Sequence, residues 1–157
     1  MTLIVSGWVA IDTVETPFEK RENMLGGSAT CAALAAALFT DVRLLATVGE
    51  DFPDELRKGL EHPNLDLAGL ATEPGGQTSR WHGRYSYDMN SRDTLDTQLG
   101  VNAEWSPTLP DGWEKSDTIF CAAGDPAVQK RLMTSLPNLE DVDGRRDRAL
   151  PGDPTSG

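Results

Sequence analysis

Residues 24–39 read MLGGSATCAALAAALF, and this stretch predicts a sharp turn at Gly26-Gly27 followed by a helix from Ser28 to Phe39. Two glycines at a helix start let the backbone approach a ligand with no side chain between them. The N–H groups of the first helical turn favour polar or anionic oxygens. The stretch therefore predicts half of a small-molecule site, although the two glycines can also serve only as a tight strand-to-helix turn.

Apolar runs around this helix predict the buried strands of a parallel sheet. They lie at residues 3–5, 42–48 and 118–123, and helices are expected at 53–61 and 127–136. Because strands that alternate with helices form parallel sheets, the sequence predicts an α/β fold.

The remaining segments are more polar. Residues 8–14 are expected to be extended, and residues 78–87 alternate in period two, as an exposed two-faced strand does. Residues 15–23 contain a proline and are interpreted as a loop, whereas residues 88–102 receive no assignment.

The charge and the cysteine content exclude several classes of protein. The 157 residues fit one domain, and their net charge of -11 argues against nucleic-acid or membrane-surface partners, which require clustered Lys and Arg. Cys31 and Cys121 lack the spacing of a zinc site and are expected to be free thiols. Glu50 and Asp51 are expected to start a helix and not to bind a metal ion. A cytoplasmic protein is expected, because no signal peptide or membrane span is recognisable.

Four motifs, in the correct order, resemble those of the PfkB/ribokinase family of carbohydrate kinases. GWVAID at residues 7–12 resembles the strand that presents an aspartate to the sugar hydroxyls, and Gly26-Gly27 resembles the glycine-pair substrate motif. VGEDF at residues 48–52 is similar to the "VGxDxxG" segment. RWHGRYSYDMN at residues 80–90 is similar to the lid of one bacterial sugar-kinase subgroup.

The resemblance implies a truncated ribokinase-like three-layer α/β/α sandwich with a small β lid. An incomplete domain is expected at residues 1–136, with lid strands near 8–14 and 78–87. The implied reaction is ATP-dependent phosphorylation of a sugar or nucleoside hydroxyl, with Mg²⁺ on the phosphates. The candidate substrate-binding residues are Asp12, Gly26, Gly27, Arg80, Asn90 and Asp125.

Several of these candidates also have a plainer interpretation. The carboxylate of Asp12 can accept several hydrogen bonds, but it can equally be a solvated group at a strand end. Asp125 follows a strand end, where open α/β sheets bind ligands, and it also suits the N-cap of a helix that starts at Pro126. Arg80 and Asn90 can reach a substrate from the lid or belong to a solvated strand face.

The sequence departs from the family pattern at three points. Cys31 stands where the family often has an asparagine, and Ala10 stands where a second polar substrate contact is expected, so the substrate stays unspecified. A segment resembling "DTxGAGD", which in the family carries the general base and an anion hole, does not occur. We therefore expect no catalytic residue, no metal site and no tight binding of ATP or Mg²⁺ by this chain.

The tail at residues 137–157 is rich in Asp, Arg, Gly and Pro and is expected to be disordered, as an out-of-frame sequence would be. The leading hypothesis is an incomplete carbohydrate kinase that is inactive alone. The alternatives are a sugar-binding module without catalysis and an interaction protein that pairs through its lid with a full-length kinase. Unpaired edges at strands 78–87 and 118–123 also predict association, including a lid-mediated homo-oligomer.

Overall fold

The strands of the computed structural model, which describes residues 2–137 and 139, form two β-sheets. In chain order the elements are β1 (Thr2–Ser6), β2 (Ala10–Glu15), β3 (Lys20–Gly26), α1 (Ser28–Ala37), β4 (Asp41–Gly49), α2 (Asp54–Lys58), β5 (Leu65–Asp66), β6 (Leu70–Glu73), β7 (Ser79–Tyr85), β8 (Arg92–Gln98), β9 (Thr118–Cys121) and α3 (Pro126–Thr134).

The larger sheet is parallel and has the strand order β5–β4–β1–β9, with β6 pairing to β4 further along that strand. Its two central strands are apolar because both of their faces are covered. Successive side chains point to opposite faces, so Val5 and Leu44 join one core cluster, whereas Ile4 and Leu45 join another.

Helices cover the two faces and complete three layers. On one face α1 packs through Ala29, Ala33 and Ala37, and these small side chains bring the helix close to the sheet. On the other face Val128 and Leu132 of α3 pack with two tryptophans of the segment that precedes β9. The predicted α/β/α sandwich is thus confirmed.

The smaller sheet, which we call the lid sheet, has the order β3–β2–β7–β8. β2 and β7 run parallel at its centre, from Ala10 opposite Ser79 to Glu15 opposite Arg84, and the two outer strands are antiparallel to them. β2 begins four residues after β1 ends, so the lid sheet lies next to the carboxyl ends of the strands of the larger sheet.

The structure corrects three predictions and adds a strand where none was assigned. Much of residues 15–23 is not loop, because β3 begins at Lys20, and β8 occupies part of the unassigned segment 88–102. The predicted unpaired edge at 78–87 is wrong, since β7 pairs on both sides. Strand β9 is not buried: it lies at the sheet edge, and Phe120 is 50% exposed. Polar and exposed side chains on β3 and β8 explain why their sequences gave no strand pattern.

Nearly all of the tail predicted at residues 137–157 lies outside the described residues. Among the residues that are described, no helix is long and apolar enough to cross a membrane.

Candidate functional site

A cavity of about 420 Å³ lies between the lid sheet and the N-terminal end of α1, and we call it the site cavity. Its lining includes Trp8, Asp12, Gly27 and Arg80, together with Ala123. Trp8 follows β1 and Ala123 follows β9, so the cavity lies at the carboxyl ends of parallel strands. This is the edge at which open α/β sheets bind ligands.

The glycine pair makes room for the Asp12 carboxylate. A Cβ atom at Gly26 would collide with that carboxylate, and a Cβ atom at Gly27 would collide with the Trp8 carbonyl oxygen. Gly27 also has a φ of 94°, which side chains rarely tolerate. Gly27 is therefore required by its backbone contacts and conformation, whereas a side chain at Gly26 would displace the Asp12 carboxylate.

Asp12 has an unusual electrostatic environment. Burial raises the pKa of its carboxyl above the usual range, although a hydrogen bond donated by the Gly27 backbone N–H acts in the opposite direction. The Oδ1 atom is buried and has no hydrogen-bond partner. A buried acceptor left without a donor costs free energy, which a ligand hydroxyl group can recover.

A second residue of the lining also has an unpartnered polar atom. Among the described residues, the buried side-chain atoms without a partner are Trp8 Nε1, Asp12 Oδ1 and Asn102 Oδ1. Trp8 and Asp12 line the site cavity, whereas Asn102 lies behind the lining and donates a hydrogen bond to the hydroxyl of Ser79. Buried polar groups in native proteins are normally paired, so the two unpaired atoms at the lining call for a partner.

The N-terminus of α1 is less available to a ligand than the sequence predicts. Gly27 is the N-cap residue, and no side chain caps the helix. The Ala29 N–H donates to the Trp8 carbonyl oxygen over 3.1 Å, and Ser28 Oγ accepts a hydrogen bond from the Ala123 N–H over 2.9 Å. These contacts fix the walls of the site cavity.

Strand β7 presents Trp81 to the cavity and Arg80 to the opposite face of the lid sheet. Trp81 stands opposite Asp12 and Arg80 opposite Ile11, and successive side chains of a strand point to opposite faces. The Arg80 guanidinium donates to Asp51 Oδ2 over 3.1 Å and to Asn23 Oδ1 over 3.4 Å. The Trp81 ring lines the cavity, and the Arg92 guanidinium lies 5.3 Å from its centroid. Trp81 therefore gives the cavity an aromatic wall.

The other predicted site residues lie elsewhere. Asn90 lies in the β7–β8 turn, where its N–H donates to Asp88 Oδ1 over 3.1 Å, and it does not line the site cavity. Asp125 caps α3 by accepting a hydrogen bond from the Ala127 N–H over 2.6 Å. The helix-cap interpretation of Asp125 is thus confirmed, and the structure does not bring it to the lining.

The sequence analysis assigned no site role to Trp8, Asp51 or Asn102. Trp8 and Asp51 lie in the motifs at residues 7–12 and 48–52, but their partners are distant in sequence. The Trp8 carbonyl oxygen accepts from the Ala29 N–H, Asp51 accepts from Arg80, and Asn102 donates to Ser79. Asp51 does not start a helix, because α2 begins at Asp54. Among the described residues, no three His, Cys, Asp or Glu side chains are grouped as they would be to hold a metal ion.

Comparisons with known proteins agree with this geometry. No protein-family model matches the chain. A cytidine kinase of Thermococcus kodakarensis is 40% identical over 138 residues, which make up 87% of this chain and 48% of that protein. The chain is thus similar to kinases of the PfkB/ribokinase family. It spans about half the length of the curated relative that it matches.

Solved structures of this family have the same fold. Arabidopsis thaliana ribokinase, solved with ribose and ATP, superposes with a TM-score of 0.67 at 13% identity, over 85% of this chain and 49% of that one. The Methanocaldococcus jannaschii nucleoside kinase gives a TM-score of 0.61 at 19% identity, over 85% and 48% of the two chains. The predicted ribokinase-like architecture is therefore confirmed for this portion of the fold.

Proposed function

We propose that the site cavity binds a sugar or nucleoside through its hydroxyl groups, and that this chain is the substrate-binding portion of an ATP-dependent kinase. The observation that carries the proposal is Asp12, whose buried Oδ1 has no partner beside a cavity lined by polar and aromatic groups. An ionised carboxylate accepts several hydrogen bonds at once, which suits neighbouring hydroxyls on one ring.

The rest of the lining supports a small polar ligand. Trp81 stands opposite Asp12 on the same face of the lid sheet and offers a ring face against which a sugar or a base can pack. The volume of about 420 Å³ falls within the range of small-molecule sites. The similarity to a cytidine kinase favours a nucleoside as the ligand of this chain. The likeness to a plant ribokinase solved with ribose favours a free sugar.

Phosphoryl transfer needs groups that this chain does not supply. ATP with Mg²⁺ would provide the transferred phosphoryl group and the charge that neutralises it. The described residues group no set of ligands for a metal ion, and the sequence contains no "DTxGAGD" segment to supply a base. We therefore assign substrate binding to this chain and no step of phosphotransfer, which makes it inactive as a kinase by itself.

The experiment is a calorimetric titration of the purified chain with cytidine and with D-ribose, accompanied by a coupled assay for ADP release. We expect one of the two ligands to bind and no substrate-dependent ADP release. Release at an ordinary kinase rate would overturn the assignment of inactivity. Failure of both ligands to bind would overturn the binding proposal and favour the alternative of an interaction protein that pairs with a longer kinase.

A further inference from the structure

The end of strand β4 carries a carboxylate that reaches the lid sheet. We propose that Asp51 locks the chain where it enters the lid sheet to the turn after β4, and that it fixes Arg80 on the face of the lid sheet opposite the site cavity. The lock is a property of the fold and goes beyond the proposed function. The lock consists of Asp51, Thr78 and Arg80.

Both carboxylate oxygens of Asp51 are engaged. Oδ1 accepts hydrogen bonds from the Thr78 backbone N–H and from the Thr78 hydroxyl, each over 2.7 Å. Oδ2 accepts a hydrogen bond from the Arg80 guanidinium over 3.1 Å. One side chain thus fixes the backbone just before β7 and the first cation of that strand.

Thr78 ties this contact back to the larger sheet. It is 1% exposed, and its hydroxyl oxygen accepts a hydrogen bond from the N–H of Gly49, the last residue of β4. A backbone hydrogen bond from the Glu50 N–H to the Gly76 carbonyl oxygen adds a second link, over 3.1 Å. The turn after β4 and the entry to β7 therefore form one hydrogen-bonded unit.

The charge on Asp51 stabilises the lock. Burial acts to raise the pKa of its carboxyl, but the two hydrogen bonds from Thr78 and the Arg80 guanidinium outweigh burial and bring the pKa below the usual range. The ionised form is therefore the one that the fold selects. Hydrogen bonds to a charged acceptor are shorter and stronger than neutral ones, so they fix direction as well as distance.

The consequence for Arg80 is a defined position. Its guanidinium is held by Asp51 on one side and by Asn23 of β3 on the other. A free arginine at a partly exposed site would sample many rotamers, so these two contacts restrict the side chain. Arg80 thereby connects the turn after β4 with strand β3.

The test begins with amide hydrogen exchange measured by NMR on Asp51→Asn and Glu50→Gln. Glu50 is the matched control, because it is the neighbouring carboxylate and accepts the Gly75 N–H over 3.0 Å, whereas Asp51 accepts the Thr78 N–H. We expect Asp51→Asn to speed exchange of the Thr78 amide about tenfold and to leave the Gly75 amide unchanged. Glu50→Gln should do the reverse. Equal exchange of Thr78 in both variants would overturn the lock.

Arg80→Gln probes the same contact from the more exposed side, should Asp51→Asn fail to fold. We expect the carboxyl pKa of Asp51, followed by NMR titration, to rise in Arg80→Gln relative to the unmodified chain. An unchanged pKa would contradict the proposed contact. Thr78→Ser keeps the hydroxyl and should retain slow exchange of the Gly49 amide, which donates to that hydroxyl. Thr78→Val lacks the hydroxyl and should lose this protection.

Ligand titration separates the lock from the proposed function. If neither cytidine nor D-ribose binds the unmodified chain, the proposed function fails, while the exchange and pKa measurements still decide the lock.

Discussion

The larger sheet and the lid sheet are stabilised by different forces. In the larger sheet, Val5 and Leu44 are fully buried and pack beneath α1. In the lid sheet, all seven residues of β8 are exposed, and Glu15 bonds to His82 and to Arg84 over 2.8 Å each. The comparison shows that the larger sheet is stabilised by apolar packing and the lid sheet by polar contacts, and the site cavity lies where the two sheets meet.

The largest difference should appear on truncating one leucine in each sheet. Leu44→Ala removes a side chain with 0% exposure from the apolar core and should cost about 2–5 kcal/mol of unfolding free energy. Leu95→Ala on β8, where the leucine is 42% exposed, should cost far less. Urea denaturation of both variants measures the contrast, and equal losses would show that the lid sheet is packed like the larger one.

An intermediate effect should appear in the pH dependence of stability, because two aspartates near the junction have opposite pKa shifts. The raised pKa of Asp12 means that its contribution is present below the unfolded pKa and is lost as the pH rises through the folded pKa. The lowered pKa of Asp51 means that its contribution is present above the unfolded pKa and is lost as the pH falls through the folded pKa.

The measurement compares the unfolding free energies of the unmodified chain, Asp12→Asn and Asp51→Asn across the acidic range. The difference in unfolding free energy between the unmodified chain and Asp12→Asn should shrink as the pH rises. The difference between the unmodified chain and Asp51→Asn should grow as the pH rises. Two curves that slope in the same direction would contradict the environments assigned to these carboxyls.

The smallest effect is expected within the lid sheet. Glu15→Gln weakens the contacts with His82 and Arg84, and the low pKa of Glu15, which these two partners cause, indicates that its ionised form is favoured in the fold. We expect a modest fall in melting temperature that diminishes with added salt, because exposed ion pairs are screened.

Glu19→Gln is the control for this measurement, since the Glu19 side chain forms an ion pair with Arg21 in the β2–β3 hairpin. It should change the melting temperature less than Glu15→Gln does. A fall that persists at high salt would indicate that packing, and not charge, holds the lid strands together.

The same contrast explains what could be predicted from the sequence. Apolar runs such as Leu3–Val5 mark strands of the larger sheet, because burial on both faces leaves a continuous pattern. Strand β8 carries no such pattern, since its pairing with β7 is made by backbone hydrogen bonds that any sequence can form. The core was therefore predictable, and half of the lid sheet was not.

The site divides in a similar way. Asp12, Gly27 and Asp51 belong to motifs with a recognisable order, and Asp12 and Gly27 line the site cavity. The motif did not predict the partner of Asp51, which is Arg80, 29 residues further along the sequence. Contacts of this kind depend on how the two sheets meet, which local sequence does not encode.

The most direct test of the central claim is the affinity of Asp12→Asn for the ligand that binds the unmodified chain, with Asp88→Asn in the β7–β8 turn as the control. Because Asp12 supplies a charged acceptor at the site cavity, we predict that Asp12→Asn weakens binding by about 10- to 100-fold. Its fold should be retained, because the ionised carboxyl is disfavoured by burial. Asp88→Asn should bind as the unmodified chain does. Undiminished affinity in a folded Asp12→Asn variant would contradict the account.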